Sequence, residues 1–106
     1  MIFIVVKWPI KPEYAEQWPE LSKAFTDASR AEPGNKFFEW SRSLSDPNTY
    51  VLVEGFDDDA GEAHVTSDHF YQAQAELPQY LARTPDIISK TIDVDEWSSL
   101  GEMEVK

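Results

Sequence analysis

The sequence predicts an α+β protein of the ferredoxin-like class, with an antiparallel sheet and its helices on one sheet face. The hydrophobic pattern changes along the chain between a strand period of two residues and a helical period near 3.6. The predicted elements follow the order strand, helix, strand, strand, two short helices, strand, which is the split α+β arrangement of such domains. The 106 residues suit one domain over 1–106.

A strand and a helix are predicted at the start of the chain. The run IFIVV, followed by Pro9, is β-branched and aromatic with apolar side chains on both faces. From Glu13 the apolar spacing becomes helical, although Pro19 predicts either a kink near Ala15 or a later helix start. The helical stripe consists of Tyr14, Trp18, Leu21, Phe25 and Ala28.

A β-hairpin is predicted after this helix. The segment AEPGN ends the helix, with Gly34 or Asn35 expected in the left-handed conformation. KFFEWSRSL and YVLVEGF are typical of strands, and DPNT of the turn between them. Their apolar side chains also lie on both faces, whereas the few helices can cover only one. The uncovered face predicts a homodimer that packs sheet against sheet.

Two short helices and a strand complete the predicted order. Asp57–Asp59 are expected to cap a helix that runs to about His64, and Ser67 to cap the next one. The last strand is predicted over 84–97, with residues 93–106 as its end and an acidic tail. The core stripe of the second helix is Phe70, Ala73, Leu77 and Leu81.

Charge and composition exclude several classes of partner. Twenty acidic against nine basic residues give a net charge of −11, which repels nucleic-acid phosphates and anionic lipids. Cysteine is absent, so no disulfide or thiolate metal site can form. The N-terminal apolar run is far shorter than the ~20 residues of a membrane span, and it lacks the features of a signal peptide. A soluble cytoplasmic protein is expected.

Both histidines lie in the segment GEAHVTSDHF. A zinc pair on one helix needs a spacing of four, whereas His64 and His69 are five apart and separated by the expected cap at Ser67. No metal site is therefore predicted. The chain also lacks a G-x-S-x-G elbow, and its four glycines are scattered, so no nucleophile or nucleotide-cofactor motif is present and no cofactor is expected.

What remains is a set of aromatic side chains expected between the sheet and the helices. They can fill a core, or they can form the wall of a small-molecule pocket with a few polar groups. A histidine facing such a pocket can deprotonate a phenol. His64 is the expected pocket histidine, while His69 lies in a first helical turn and is expected to face water or help the cap.

Four segments resemble the antibiotic biosynthesis monooxygenase superfamily, including its quinol monooxygenases. They are AEPGN, FFEWSRS, DPNTYVLVEGF and AGEAHVTSDHF, and they occur in the family's order over most of the chain. The final strand and the tail match in hydropathy alone. The family pattern falls on Glu32, Pro33, Gly34, Phe38, Glu39, Tyr50, Leu52, Glu54, Phe56, Ala60, His64, Ser67, His69 and Phe70.

The resemblance implies a ferredoxin-like fold that dimerises through its sheets into an α+β barrel. It also implies oxygen chemistry without metal or flavin, in which an electron-rich phenol or hydroquinone is deprotonated and its anion reduces dioxygen. The axial histidine of heme-degrading members has no counterpart here, so heme degradation is not expected. The Asn and Trp of polyketide-tailoring members are not matched either.

The resulting prediction is a dimeric, cofactor-independent monooxygenase or oxidase of a small quinol-like or polycyclic phenolic substrate. His64 is the predicted proton acceptor. Two alternatives remain open, a non-catalytic small-molecule-binding module and an isomerase-type proton transfer on the same scaffold. Substrate contacts are expected from Phe25, Trp40, Phe70, Tyr80, His69 and Arg42.

Overall fold

The computed structural model describes all 106 residues. Four strands form one antiparallel sheet in the order β2-β3-β1-β4, which confirms the ferredoxin-like α+β class. No helix combines the length and the apolarity needed to span a membrane. The strands are β1 (Ile2–Pro9), β2 (Asn35–Arg42), β3 (Thr49–Phe56) and β4 (Asp86–Thr91), and the α-helices are α1 (Trp18–Leu21), α2 (Lys23–Arg30), α3 (Gly61–Val65) and α4 (Asp68–Glu76), with 3₁₀ helices at Pro12–Gln17, Leu77–Tyr80 and Gly101–Met103.

The hydrophobic core lies between the helices and one face of the sheet, which we call the inner face. The strand register aligns Val6, Leu52 and Trp40 in one row across β1, β3 and β2. Trp18 and Phe25 pack onto this face from the helical layer. Each fully buried side chain of this size stabilises the fold by roughly 1.5–3 kcal/mol. Helices on one face only are thus confirmed.

Pro19 shifts the start of the first α-helix. The chain forms a 3₁₀ helix before it, and α1 begins at Trp18 with Pro19 in its first turn, where no backbone N–H is needed. The later start is confirmed and the kink near Ala15 is not. The Ser22 hydroxyl donates to the Trp18 carbonyl at 2.8 Å between α1 and α2.

The turn between α2 and β2 contains no residue with positive φ, so the expected left-handed Gly34 or Asn35 is wrong. Two backbone hydrogen bonds turn the chain instead, from the Glu32 N–H to the Ser29 carbonyl and from the Asn35 N–H to the Glu32 carbonyl. Glycine is needed for space, because a Cβ on Gly34 would lie 2.3 Å from the Cβ of Ala60. This close approach brings the Glu32 turn against the start of α3.

The two helices after β3 begin differently. Ala60 occupies the N-cap position of α3, with no side-chain cap bond, so the capping role expected for Asp57–Asp59 is wrong. Ser67 does cap α4, since its hydroxyl accepts a hydrogen bond from the Phe70 N–H.

The last strand is shorter than the predicted span of 84–97, because β4 ends at Thr91. Its pairing with β1 places Ile87 on the inner face and Ile88 on the opposite, outer face. Beyond β4 the tail brings the Trp97 ring to within 5.3 Å of the Phe37 ring on the outer face. The radius of gyration is 14.9 Å, above the ~13 Å typical of a compact domain of about 100 residues.

Candidate active site

One carboxyl side chain lies on the inner apolar face of the sheet. Glu54 is on β3, and its register partners are Ile4 on β1 and Phe38 on β2. Only 5% of the residue is exposed. Burial of a carboxyl among apolar side chains costs free energy unless the group is paired or protonated. A glutamate at this position therefore costs folding free energy.

The helix α3 places His64 opposite this carboxyl. The imidazole is buried, and its Nε2 lies 3.7 Å from the Glu54 Oε1, which is longer than a hydrogen bond. Aromatic rings enclose the imidazole, with centroid distances of 4.6 Å to Phe56, 5.2 Å to Phe70 and 6.0 Å to Phe25. These rings fix the plane of the imidazole and exclude water from it.

Glu32, in the turn after α2, connects the two histidines. Its Oε2 lies 2.7 Å from the His64 Nδ1 and 2.6 Å from the His69 Nε2. His69 reaches this oxygen because the Ser67 cap starts α4 at Asp68, which places His69 in the first turn of the helix. Three separate parts of the chain thus meet at one carboxylate.

The hydrogen bonds to Glu32 determine where the protons lie on the two rings. An ionised carboxylate only accepts hydrogen bonds, so the His64 Nδ1 and the His69 Nε2 must both donate. A neutral His64 then keeps its lone pair on Nε2, the atom nearest to Glu54. This arrangement presents a proton acceptor on the Glu54 side of the ring, with the Glu32 carboxylate behind it.

The carboxyl of Glu54 has a raised pKa. Burial raises the pKa of its carboxyl from 4.5 to about 8, with a smaller contribution from the negative charge of Glu32. Near neutral pH the Glu54 carboxyl is mostly protonated and presents an O–H donor. A proton acceptor and a proton donor therefore face each other across 3.7 Å.

Both groups line a cavity of about 560 Å³ between the α4 side of the helical layer and the β1–β4 half of the sheet. Its volume falls within the range of small-molecule sites. Glu54 and His64 are the only ionisable side chains in its lining. The other lining residues are Ile4, Val6, Trp8, Phe25, Val65, Phe70, Ala73, Gln74, Leu77, Pro78, Leu81, Thr84, Pro85 and Ile87.

The family model of the antibiotic biosynthesis monooxygenases matches residues 1–76. The chain belongs to this family. The matched region contains Glu32, Glu54, His64 and His69, and the match confirms the resemblance seen in the four sequence segments.

Individual relatives are distant in sequence but close in fold. "Putative monooxygenase YcnE" of Bacillus subtilis is 26% identical over 94 residues, which cover 89% of this chain and 93% of the relative. A structure described as a putative antibiotic biosynthesis monooxygenase from Deinococcus radiodurans has a TM-score of 0.81 at 19% identity, covering 93% of this chain and 99% of that one. Another, from Nitrosomonas europaea, has a TM-score of 0.79 at 22% identity, covering 89% and 100% of the two chains.

Within this family member, three of the residues predicted for the site line the cavity. They are His64, Phe25 and Phe70. His69 lies outside the lining, and it contacts the site through its hydrogen bond to Glu32. The expectation that His69 faces water or helps the cap is therefore wrong, since its ring is directed at the carboxylate.

The other three predicted site residues lie elsewhere, so the expectation that they line this cavity is not met within the chain. Arg42 pairs with Glu16 at 2.8 Å. The Tyr80 ring packs 4.9 Å from the Tyr14 ring. Trp40 lines a separate hollow of about 230 Å³ next to α2. Strand alternation is sufficient to place Trp40 on the inner face, but it does not indicate which half of that face holds the cavity.

The two histidine rings lie close together, with centroids 6.1 Å apart, despite their spacing of five. His64 and His69 belong to different helices, so one helical period does not relate them. Together with Glu32 they offer three ligand atoms within 4.8 Å of one another, a donor set that could hold a divalent transition metal. The short N···O distances are equally those of charge-assisted hydrogen bonds, which satisfy all three groups without an ion.

Neither Glu32 nor Glu54 was predicted to have a chemical role. Glu54 had a detectable signal, a carboxyl at an inward position of the strand YVLVEGF whose other inward residues are apolar or aromatic. Glu32 had no such signal. Its role depends on the contact between Gly34 and Ala60, which brings distant segments together.

Glu54 makes the stability of the protein depend on pH. The unfolded chain releases the Glu54 proton above about pH 4.5, whereas the folded protein keeps it to about pH 8, so the free energy of unfolding falls as the pH rises through this window. Glu54→Gln removes this contribution. Relative to the wild type, the variant is expected to gain stability by up to about 1.4 kcal/mol per pH unit across the window.

Urea unfolding at several pH values checks this expectation. Glu62→Gln is the matched control, because Glu62 lies on α3 beside His64 with an exposed side chain. The difference in unfolding free energy between Glu54→Gln and the wild type should change with pH, and that between Glu62→Gln and the wild type should not. A constant difference for Glu54→Gln would show that its carboxyl is ionised in the folded protein.

Proposed function

We propose that the protein is a cofactor-independent monooxygenase or oxidase that acts on a small quinol-like or polycyclic phenolic substrate with dioxygen. One observation carries this proposal, the His64 imidazole that is held by Glu32 on one side and lines an apolar cavity on the other. Membership of a monooxygenase family supports the oxygen chemistry.

His64 acts as the general base. A phenolic O–H bound in the cavity transfers its proton to the His64 Nε2, and the Glu32 carboxylate at 2.7 Å from Nδ1 stabilises the imidazolium that forms. The hydrogen bond from His69 to the same oxygen holds Glu32 in place. The base is thus oriented before the substrate arrives.

The apolar cavity makes the resulting anion reactive. A phenolate donates an electron to dioxygen far more readily than the neutral phenol, and it does so better when water does not solvate its oxygen. The lining, which is mainly aliphatic and aromatic, supplies few competing hydrogen bonds. Deprotonation of the substrate and exclusion of water are therefore two contributions of the protein to this reaction.

The reaction balances with dioxygen as the only co-reactant. In the monooxygenase course the substrate loses its phenolic hydrogen and one ring hydrogen, gains one oxygen atom as a carbonyl, and the second oxygen atom leaves as water. In the oxidase course a hydroquinone passes two electrons and two protons to dioxygen, giving a quinone and hydrogen peroxide.

We also propose that two copies of the chain associate through the outer face of the sheet. This face carries apolar side chains on all four strands, and no helix covers it. The tail contributes Trp97 to the same surface. A second copy is the simplest cover for such a continuous apolar patch. The apolar residues of the outer face are Phe3, Val5, Phe37, Val51, Val53 and Ile88.

Oxygen uptake by the purified protein tests the enzymatic proposal. With a panel of hydroquinones and polycyclic phenols, we expect uptake by the wild type that EDTA leaves unchanged. We expect the rate to fall about 10²- to 10⁴-fold in His64→Gln, and less in Glu32→Gln, because glutamine still accepts a hydrogen bond without stabilising the imidazolium. Glu62→Gln is the control with an exposed side chain.

The alternatives give different results in the same assay. Uptake at the wild-type rate in His64→Gln would remove the proposed base. A melting shift with a phenol but no uptake would favour the non-catalytic binding module. Turnover of a substrate without oxygen consumption would favour the isomerase-type proton transfer.

Sedimentation tests the dimer. The wild type is expected to sediment as a dimer at micromolar concentration. Val53→Glu should give a monomer, because it places a charge on the central strand of the outer face. Leu44→Glu adds the same charge to a fully exposed residue in the β2–β3 connection and should remain dimeric. A monomeric wild type would contradict the proposal.

A further inference from the structure

We propose that Glu54 is a second catalytic residue, the proton donor to the peroxide intermediate of the reaction. This inference rests on the proposed function and assigns a role to the one ionisable cavity residue that the base-catalysed step does not use. It follows from the composition of the cavity, from the geometry of the two facing groups and from the cost of placing a carboxyl there.

The composition of the cavity limits where a proton can come from. Of the sixteen residues in its lining, Glu54 and His64 alone are ionisable. His64 is occupied by the proton that it has taken from the substrate. The imidazolium can return that proton to the phenolic oxygen from which it came, and Glu54 is the other acid in the lining, available to protonate a different atom of the bound molecule.

The geometry allows both groups to act on one substrate. The His64 Nε2 and the Glu54 Oε1 are 3.7 Å apart, so they do not neutralise each other by a hydrogen bond, and both border the space that the substrate would fill. The same distance is short enough for a proton to return from the imidazolium to Glu54 through a small movement of either side chain.

The surroundings of Glu54 favour the protonated acid. The titratable groups that face it are His64 on α3 and Glu32 from the turn after α2, with His69 on α4 beyond Glu32. Its neighbours on β1 and β2 are apolar. Burial and the negative charge of Glu32 both raise the pKa of Glu54, to about 8. An apolar side chain or a glutamine would fit this position at a lower cost in stability.

The proposed step needs no co-reactant besides dioxygen. After deprotonation by His64, the substrate anion transfers an electron to dioxygen, and the two radicals combine at a ring carbon to give a peroxy anion. Glu54 protonates its distal oxygen, and the O–O bond then breaks. Hydroxide leaves with the ring hydrogen as water, and the ring carbon becomes a carbonyl. Transfer of the proton from the His64 imidazolium to the Glu54 carboxylate restores both groups.

The test compares Glu54→Gln, Glu54→Asp and the exposed control Glu62→Gln in steady-state oxygen uptake. We expect Glu54→Gln to lose about 10²-fold or more in kcat with little change in KM, and Glu54→Asp to recover part of that loss. The wild-type kcat should fall as the pH rises through the pKa of Glu54, and this alkaline fall should be absent from the residual activity of Glu54→Gln. A purely structural role would not move the pH profile.

Melting curves confirm that each variant is folded. Each outcome of the oxygen-uptake assay then shows whether Glu54 is the proton donor. If Glu54→Gln keeps the wild-type kcat, or keeps the same alkaline fall, Glu54 is not the donor although the proposed function stands. If the wild type consumes no oxygen with any phenol of the panel, the proposed function fails and the role of Glu54 fails with it.

Discussion

The Glu32 carboxylate accepts hydrogen bonds from two imidazoles, and the arrangement of the candidate site depends on this single contact. It joins the turn after α2 to α3 and to the first turn of α4, three parts of the chain that no sheet hydrogen bond connects. The surrounding structure keeps the contact in place. Gly34 lets the turn lie directly against Ala60, and the Ser67 cap fixes the start of α4. The orientation of His64 is therefore a product of the fold as a whole.

The two glutamates of the site differ in chemistry because their surroundings differ. Glu32 accepts two short hydrogen bonds from ring nitrogens, at 2.7 Å and 2.6 Å. Glu54 faces apolar strand neighbours and lies beyond hydrogen-bond distance of His64, so its proton is retained. His64 lies between a charged carboxylate and a neutral acid, which is an arrangement suited to taking one proton and returning another. The apolar cavity excludes water that would otherwise exchange protons with these two groups.

The sequence predicted the fold better than it predicted the site. Alternation and helical spacing define which side chains face the core, and that is sufficient to obtain the element order, the inner face and the Ser67 cap. The same information cannot locate a cavity along the inner face, which is why Trp40 and Arg42 were assigned to it and Glu54 was not. His64 and His69 meet at Glu32 through a tertiary contact between separate helices. The spacing of these residues along the chain does not predict that contact.

The position of the proton on the His64 ring directly tests whether Glu32 orients this side chain as the catalytic base. Long-range proton–nitrogen NMR on the nitrogen-15-labelled protein reports which ring nitrogen of a neutral histidine carries the hydrogen. A neutral His64 is expected to carry its proton on Nδ1, with its Nε2 free, and to lose that preference in Glu32→Ala, which has no acceptor for the Nδ1–H. A His64 protonated on Nε2 in the wild type would contradict the account, because the ring would then have no acceptor facing the cavity.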